Sequence, residues 1–436
     1  MYQAIIGKIT VKEHPNADRL ALGEILGFQV VVSKDTVDGQ IGVFFPSDGC
    51  LSNTYCIANE LWPRFEDGVR VGGGFIDPKN NRVRAQNFRG EISEGLYMPL
   101  SSLKGLISDK VIESLTLGTT FTELDGQLIC QKWVNPQTRS YMQGLGNKAK
   151  VNRKETAWLT MWQDTDQLKY KISDLKAGDK IILTEKCHGT SGRSGHSWEE
   201  KVSPIWSWAE RFRSTPVLKN VLFFKHYDYK WMNGTRRVLV DSFKNANGGY
   251  YSNADFRYKH EETLSKVLPP GFQAYYEIVG YTGIDSTIMG TADNAKHSKE
   301  FVKAWGKSTT FKYGCANGES RMYIYALSVT LPDGFKQWLN WDEMKYLCNV
   351  WGLQTVPYIE EFIYDGDSDA LLAKCDILSK GASTLDASHI REGVCLMVPS
   401  KLKLQVFKVK SRDFYILEDV VKSDESVIDM EEAESY

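Results

Sequence analysis

At 436 residues, with 42% hydrophobic and 25% charged residues, the chain has apolar material for more than one core and suits two or three units of roughly 100–200 residues. Its net charge of −2 is unevenly spread: residues 418–436 hold eight acids and one lysine, leaving +5 on a body suited to a polyanion, with a solvated tail. Eight cysteines without a CxxC pair, no apolar run near 18 residues and an alternating start, MYQAIIGKITVKEH, argue against a zinc ribbon, a disulfide framework, a membrane span and a signal peptide, and predict an intracellular protein with reduced thiols.

Residues 1–128 are strand-rich. The alternating runs AIIGKITV, GFQVVVS, IGVFFP and GLYMPL, separated by Gly, Pro, Asn and Asp turns, predict a small β-barrel. Residues 129–157 read as a linker, rich in Asn, Gln, Gly and Lys/Arg, either basic enough to touch nucleic-acid phosphates or simply solvated. From 158 to 415 strands and helices mix. KIILTEK, RRVLVDS, FQAYYEIVG, RMYIYALSV, GVCLMV and KLQVFKVKS read as strands, and FVKAWGKS, WDEMKYLCNVWG and SDALLAKCDILSK as helices. Their irregular interleaving predicts an antiparallel α+β domain rather than a doubly wound one. There is no internal repeat, GxGxxG or P-loop, and 416–436 reads as an acidic tail.

Within this order one lysine stands out. Lys186 closes the apolar run KIILTE and precedes Gly189, Thr190, Ser191 and Gly192, a turn whose N–H groups and hydroxyls can surround a phosphate. The spacing alone carries little, since KAWG at 303–306 repeats it in a helix-like segment without such a turn. Downstream, Glu277 stands near the end of FQAYYEIVG and Glu392 just before GVCLMV. In LKLQVFKVKS, period-2 alternation carries the face of Leu402, Leu404 and Val406 on into Lys408 and Lys410. Two inward lysines about 7 Å apart repel and lose hydration unless an anion or carboxylates balance them. A nucleotide phosphate does so; the alternative is a strand that emerges into water after Val406.

Taken in order, EKCHGTSGR, EIVG, YIYAL, EGV and FKVKS resemble the motifs of the covalent nucleotidyltransferases, the superfamily of ATP-dependent polynucleotide ligases and mRNA capping enzymes. The stretches VKEHPNADRLALGEI (11–25) and RVRAQNFRGEISEGLYMPL (82–100) resemble the OB-fold tRNA-binding modules of some aminoacyl-tRNA synthetases. His14, Asn16 and Asp18 there can equally be no more than a turn. An OB module placed first is the order of the Deinococcus- and Naegleria-type RNA ligases. The resemblance therefore implies an α+β chain: an N-terminal OB-fold β-barrel, then an antiparallel nucleotidyltransferase domain of the ATP-grasp-like adenylation type.

The same resemblance implies an ATP-dependent RNA ligase sealing 3′-OH and 5′-phosphate ends, at nicks in an RNA duplex, with Mg²⁺ or Mn²⁺. A capping-type guanylyltransferase and a non-catalytic RNA-binding protein are the alternatives. Lys186 becomes the adenylated nucleophile, with Gly189 and Thr190 beside the nucleotide and Glu185 touching adenine through its backbone. Glu277 is implied at the ribose, Tyr325 stacked on adenine, and Lys408 and Lys410 at the α-phosphate. Glu277 and Glu392 are implied to hold a metal through water. Arg236 or Arg237 contacts the end to be joined, with Arg193 as a further candidate. His188 stands where many ligases carry a metal-organising Asp, and an imidazole brings no fixed negative charge. A monomer is expected, cytoplasmic if cellular, or encoded by a virus or phage.

Overall fold

The structure is a computed structural model that describes residues 2–140, 155–156, 158–163, 165–200, 227–236, 238–245, 251, 254–331, 333–399 and 404–422. Most of the expected linker, Arg237 and residues 423–436 lie outside these. No described helix is long and apolar enough to cross a membrane.

The N-terminal runs form β1 (Ala4–Glu13), β2 (Leu20–Ile25), β3 (Phe28–Ser33), β4 (Ile41–Pro46) and β5 (Gly95–Pro99), an antiparallel sheet in the order β5-β4-β1-β2-β3. β1 is long enough to change partners: Ile5 to Lys8 pair with β4, and Ile9 to Glu13 with β2. Alternation then buries both faces. Val43 and Phe45 join Ala4, Ile6, Leu51 and Tyr55 on one side, while Phe44 joins Ile9, Ile25, Phe28 and Val30 on the other. The HPNAD stretch is a turn tied to the 88–89 corner, with the His14 ring hydrogen-bonded to the Phe88 carbonyl and Asn16 Nδ2 donating to the Arg89 carbonyl.

Two further sheets follow. In the first, β6 (Lys180–Lys186) is central; in the second, β7 (Thr190–Glu200), β8 (Tyr227–Thr235), β9 (Phe272–Gly283) and β10 (Ser320–Thr330) form a long antiparallel set in the order β8-β7-β9-β10. Helix α1 (Asp255–Val267) backs β7 and β9, and α2 (Trp341–Val350) starts on a capping box of Asn340 and Glu343. β11 (Tyr358–Ile363), α3 (Ser368–Ser379), β12 (Gly393–Val398), β13 (Gln405–Lys410) and α4 (Arg412–Lys422) complete the chain. The first of these sheets runs β13-β12-β6-β11, with Asp166–Gln167 parallel on the outer edge of β13. The result is a mixed α/β structure built largely of antiparallel sheets.

Three elements depart from the sequence reading. The strand expected at RRVLVDS is only Leu239–Val240, pairing with a longer strand upstream, β8. Helix α1 was not visible as a periodic run because its buried face mixes Phe256 and Leu264 with Arg257, His260 and Glu261. Residues 416–422, expected in the acidic tail, belong to α4, where Ile416 and Leu417 are buried.

Candidate active site

Register builds one wall of the cleft. Thr184, Cys395 and Lys408 are paired neighbours across β6, β12 and β13, and Lys186, Gly393 and Lys410 form the next row. The preceding row, Ile182, Met397 and Val406, lies in the core between the two sheets. Each strand therefore leaves the core through a polar row and ends in a lysine row. Gly393 packs where a Cβ would collide with the Val409 carbonyl, which keeps β12 and β13 close beneath the lysines.

Glu392 organises this wall. It is fully buried, with Lys186 Nζ 2.7 Å and Lys410 Nζ 3.7 Å from its Oε1, and His188 Nδ1 3.7 Å from its Oε2. These are charge contacts, since neither carboxylate oxygen has a hydrogen bond of acceptable geometry. Lys186 itself is 21% exposed, open enough to meet a ligand. The His188 imidazole is edge-on to Phe311 and Phe414, each 4.9 Å away, and its backbone N–H donates to Tyr313 Oη at 2.6 Å.

The opposite wall comes from β7, β9 and β10. Ser191 pairs with Glu277 across the strands and donates its hydroxyl to Glu277 Oε2 at 3.0 Å. Tyr325 of β10 has its phenol pushed well above 10 by burial, then by the negative charge of Glu277, so it remains neutral. The Trp162 ring packs 4.8 Å from Tyr325 and 5.4 Å from Tyr275. Cys187 and Cys395 beside the first wall share one core cluster with Ile278 and Tyr323 of the second, which holds the two walls against each other. Burial holds both thiols largely protonated, with Cys395 at about 11.

The structure thus brings together Lys186, His188, Glu277, Tyr325, Glu392, Lys408 and Lys410. Arg236 is near enough to Tyr325 to influence its charge, while Arg237 lies outside the described residues. Glu185, implied to act through its backbone, turns its side chain away from this group, and Gly189, Thr190 and Arg193 bring none into it. Glu185 points to the far face of β6, as alternation requires after Lys186, where Ser383 Oγ and the Thr384 N–H donate to it and Arg391 pairs with it at 3.3 Å. Its own N–H donates to the Pro357 carbonyl at 2.8 Å.

Thr190 points away from Glu277, toward α1, and accepts from Arg257 Nη2 at 2.6 Å. Gly189 is pressed against the Ile278 carbonyl, where a Cβ would not fit. Arg193 shares the face of Ser191, but it is 1% exposed and donates to the Leu159 carbonyl. Burial lowers its guanidinium pKa. Sequence reasoning missed Trp162 and Arg257. Arg257 also donates to the Ser191 carbonyl at 3.1 Å, so it braces the segment that follows the lysine.

The fold that carries this site, an N-terminal sheet followed by two largely antiparallel sheets, is similar to that of solved RNA ligases. The particular likeness is to Naegleria gruberi RNA ligase. A mutant of that protein with AMP and Mn matches with a TM-score of 0.55 and 17% identity, over 94% of this chain and 97% of that one. A mutant with ATP and Mn matches at 0.55 and 16% identity, over 94% and 98%, and the protein with PPi at 0.53 and 16%, over 94% and 97%. The likeness is one of fold. No family model matches the chain, and no curated protein matches it.

Proposed function

We propose that the protein is an ATP-dependent RNA ligase that seals 3′-OH and 5′-phosphate ends at nicks. The observation that carries this reading is the convergence of Lys186, Lys410 and buried Glu392 on one wall, with Glu277 and Tyr325 opposite. The Naegleria gruberi ligase of the same fold is known with ATP, AMP, Mn and PPi, the reactant and products of such chemistry.

Lys186 attacks the α-phosphorus of ATP, forming a P–N bond and releasing pyrophosphate. AMP then passes to the RNA 5′-phosphate, giving a 5′–5′ pyrophosphate link. The 3′-hydroxyl attacks the activated phosphate, forming the phosphodiester and expelling AMP. Each displacement depends on placement and charge stabilisation more than on acid–base chemistry. Lys408 and Lys410 meet the α-phosphate, Glu277 orients the ribose through a position fixed by Ser191, and Tyr325 offers its face to adenine. Arg236 is our choice for the contact to the end being joined.

Lys186 must give up a proton first. The repulsion of Lys408 and Lys410 favours this, whereas its pairing with Glu392 opposes it. Among the described residues no group of three or more His, Cys, Asp or Glu side chains is placed to hold a metal ion, which disfavours an all-protein cage. The carboxylate of Glu392, buried without a hydrogen bond, fits a Mg²⁺ or Mn²⁺ held through water, with Glu277 as the second carboxylate. Such a cation supplies positive charge that competes with Lys186 for Glu392 and offsets charge on the phosphates. The N-terminal sheet, about residues 1–128, we read as an OB-fold module that binds the nicked RNA, joined through 129–157 to the nucleotidyltransferase unit of 158–415.

Incubation with α-labelled ATP and Mn²⁺ tests the reading: acid-labile label is expected on Lys186, and a nicked RNA duplex should discharge it into product. Label that persists in Lys186→Ala would sink the assignment. Label from GTP alone would turn the reading to a capping-type enzyme, and none from either nucleotide to a binding protein.

A further inference from the structure

The last helix divides its residues between two parts of the molecule. Phe414, Leu417 and Glu418 share one face at the i, i+3, i+4 spacing, and Arg412, Ile416 and Asp419 share the opposite face at i, i+4, i+7. The first face meets the cleft. Phe414 packs edge-on to His188 and lies 5.5 Å from the Lys410 ammonium, Leu417 is in the core between the sheets, and Glu418 Oε1 is 2.7 Å from Lys410 Nζ.

The second face meets the N-terminal region, at Gln29 of β3 and along the stretch between β4 and β5. Ile416 is buried with Ala85 and Ile92, and Arg412 donates to Gln29 at 2.9 Å and pairs with Glu94 at 3.3 Å. Asp419 is 2.7 Å from Arg82, a guanidinium 1% exposed that also faces Asp48 and lies over the Trp133 ring. A buried arginine held on three sides cannot turn to water, so it fixes the helix against that region.

Lys410 therefore stands between two carboxylates, Glu392 of the cleft and Glu418 of the helix, and the helix carboxylate is nearer by 1 Å. A lysine stem is flexible, and its ammonium takes a defined position only if rigid neighbours hold it. We infer that Glu418 is a positioning residue for Lys410, and that the N-terminal region sets where Glu418 stands through the Arg82–Asp419 pair on the far face of the same helix. The purpose of that positioning, presenting Lys410 to the α-phosphate, rests on the ligase reading. The N-terminal region thereby becomes part of the nucleotide-transfer centre as well as a module that binds RNA.

Two readouts on the full chain test this. Acetylation with an N-hydroxysuccinimide ester, mapped by mass spectrometry without nucleotide, should rise about tenfold at Lys410 in Glu418→Gln and about threefold in Asp419→Asn. It should stay near wild type in Glu418→Asp, with exposed Lys303 as an unchanged control for folding. In parallel, label formation at saturating ATP should slow about tenfold in Glu418→Gln with half-saturating ATP unchanged, and Glu418→Asp should restore most of the rate.

Unchanged Lys410 reactivity in Glu418→Gln would overturn the positioning role whatever the labelling shows. A reactive Glu418→Gln beside a normal Asp419→Asn would overturn the link to the N-terminal region. A wild type that takes no label while Lys410 responds as expected would defeat the ligase reading and leave the positioning standing.

Discussion

The two walls of the cleft solve opposite problems. The β6-β12-β13 wall concentrates positive charge: Lys186, Lys410 and His188 lie against buried Glu392, Lys408 stands one row away, and Glu418 also pairs with Lys410. The β7-β9-β10 wall carries its carboxylate, Glu277, beside the donating Ser191 hydroxyl, and Tyr325 of the same wall packs against the Trp162 ring. A wall of close like charges is costly until an anion arrives, whereas a wall of hydrogen bonds and rings is complete without a ligand. On the proposed ligase reading, the first wall acts on charge that develops during the reaction and the second holds the nucleotide in place.

The comparison breaks most sharply at the first wall. Lys186→Ala should abolish label from ATP altogether, measured on denaturing gels. Glu392→Gln should slow label formation by about 10²-fold at saturating ATP, since it removes the charge at the centre of the lysine row. On the second wall the loss should fall on binding. Ser191→Ala removes one hydrogen bond that orients Glu277 and should raise half-saturating ATP by about tenfold, with a smaller effect on the maximal rate. Equal losses in maximal rate from both walls would erase the proposed division of labour.

A pH effect should separate the walls more gently. Burial, then Lys259 and Arg257, push His260 on α1 down to about 4, and its ring is bonded to Ser320 at the start of β10. A buried neutral histidine resists a proton that the unfolded chain accepts near 6.5. Stability from this group is therefore intact above that pH and falls as pH drops toward about 4, by up to about 3 kcal/mol. Urea unfolding at pH 7 and pH 4.5 should show the loss, and His260→Gln should shrink it.

Much of the first wall is legible in the sequence. Period-2 alternation in KLQVFKVKS carries an apolar face into Lys408 and Lys410, and in KIILTEK it sets Lys186 and Glu185 on opposite faces; both follow from the pleat alone. The turn after Lys186 is not legible in the same way. Residues 187–189 separate β6 from β7, so parity cannot be carried across them, and Thr190 faces Arg257 rather than the cleft. Nor is α1, whose buried arginine, histidine and glutamate hide its period.

By itself the sequence determined the strands that carry the lysines and the face each lysine takes, because side-chain direction in a strand depends only on the neighbouring peptide units. Only the tertiary structure decided what those lysines meet. The contacts of Glu392 with Lys186, Glu277 with Ser191, Tyr325 with Trp162 and Lys410 with Glu418 join residues on separate elements. Sheet register and the docking of α4 bring them together, and neither is a property of any local run of residues.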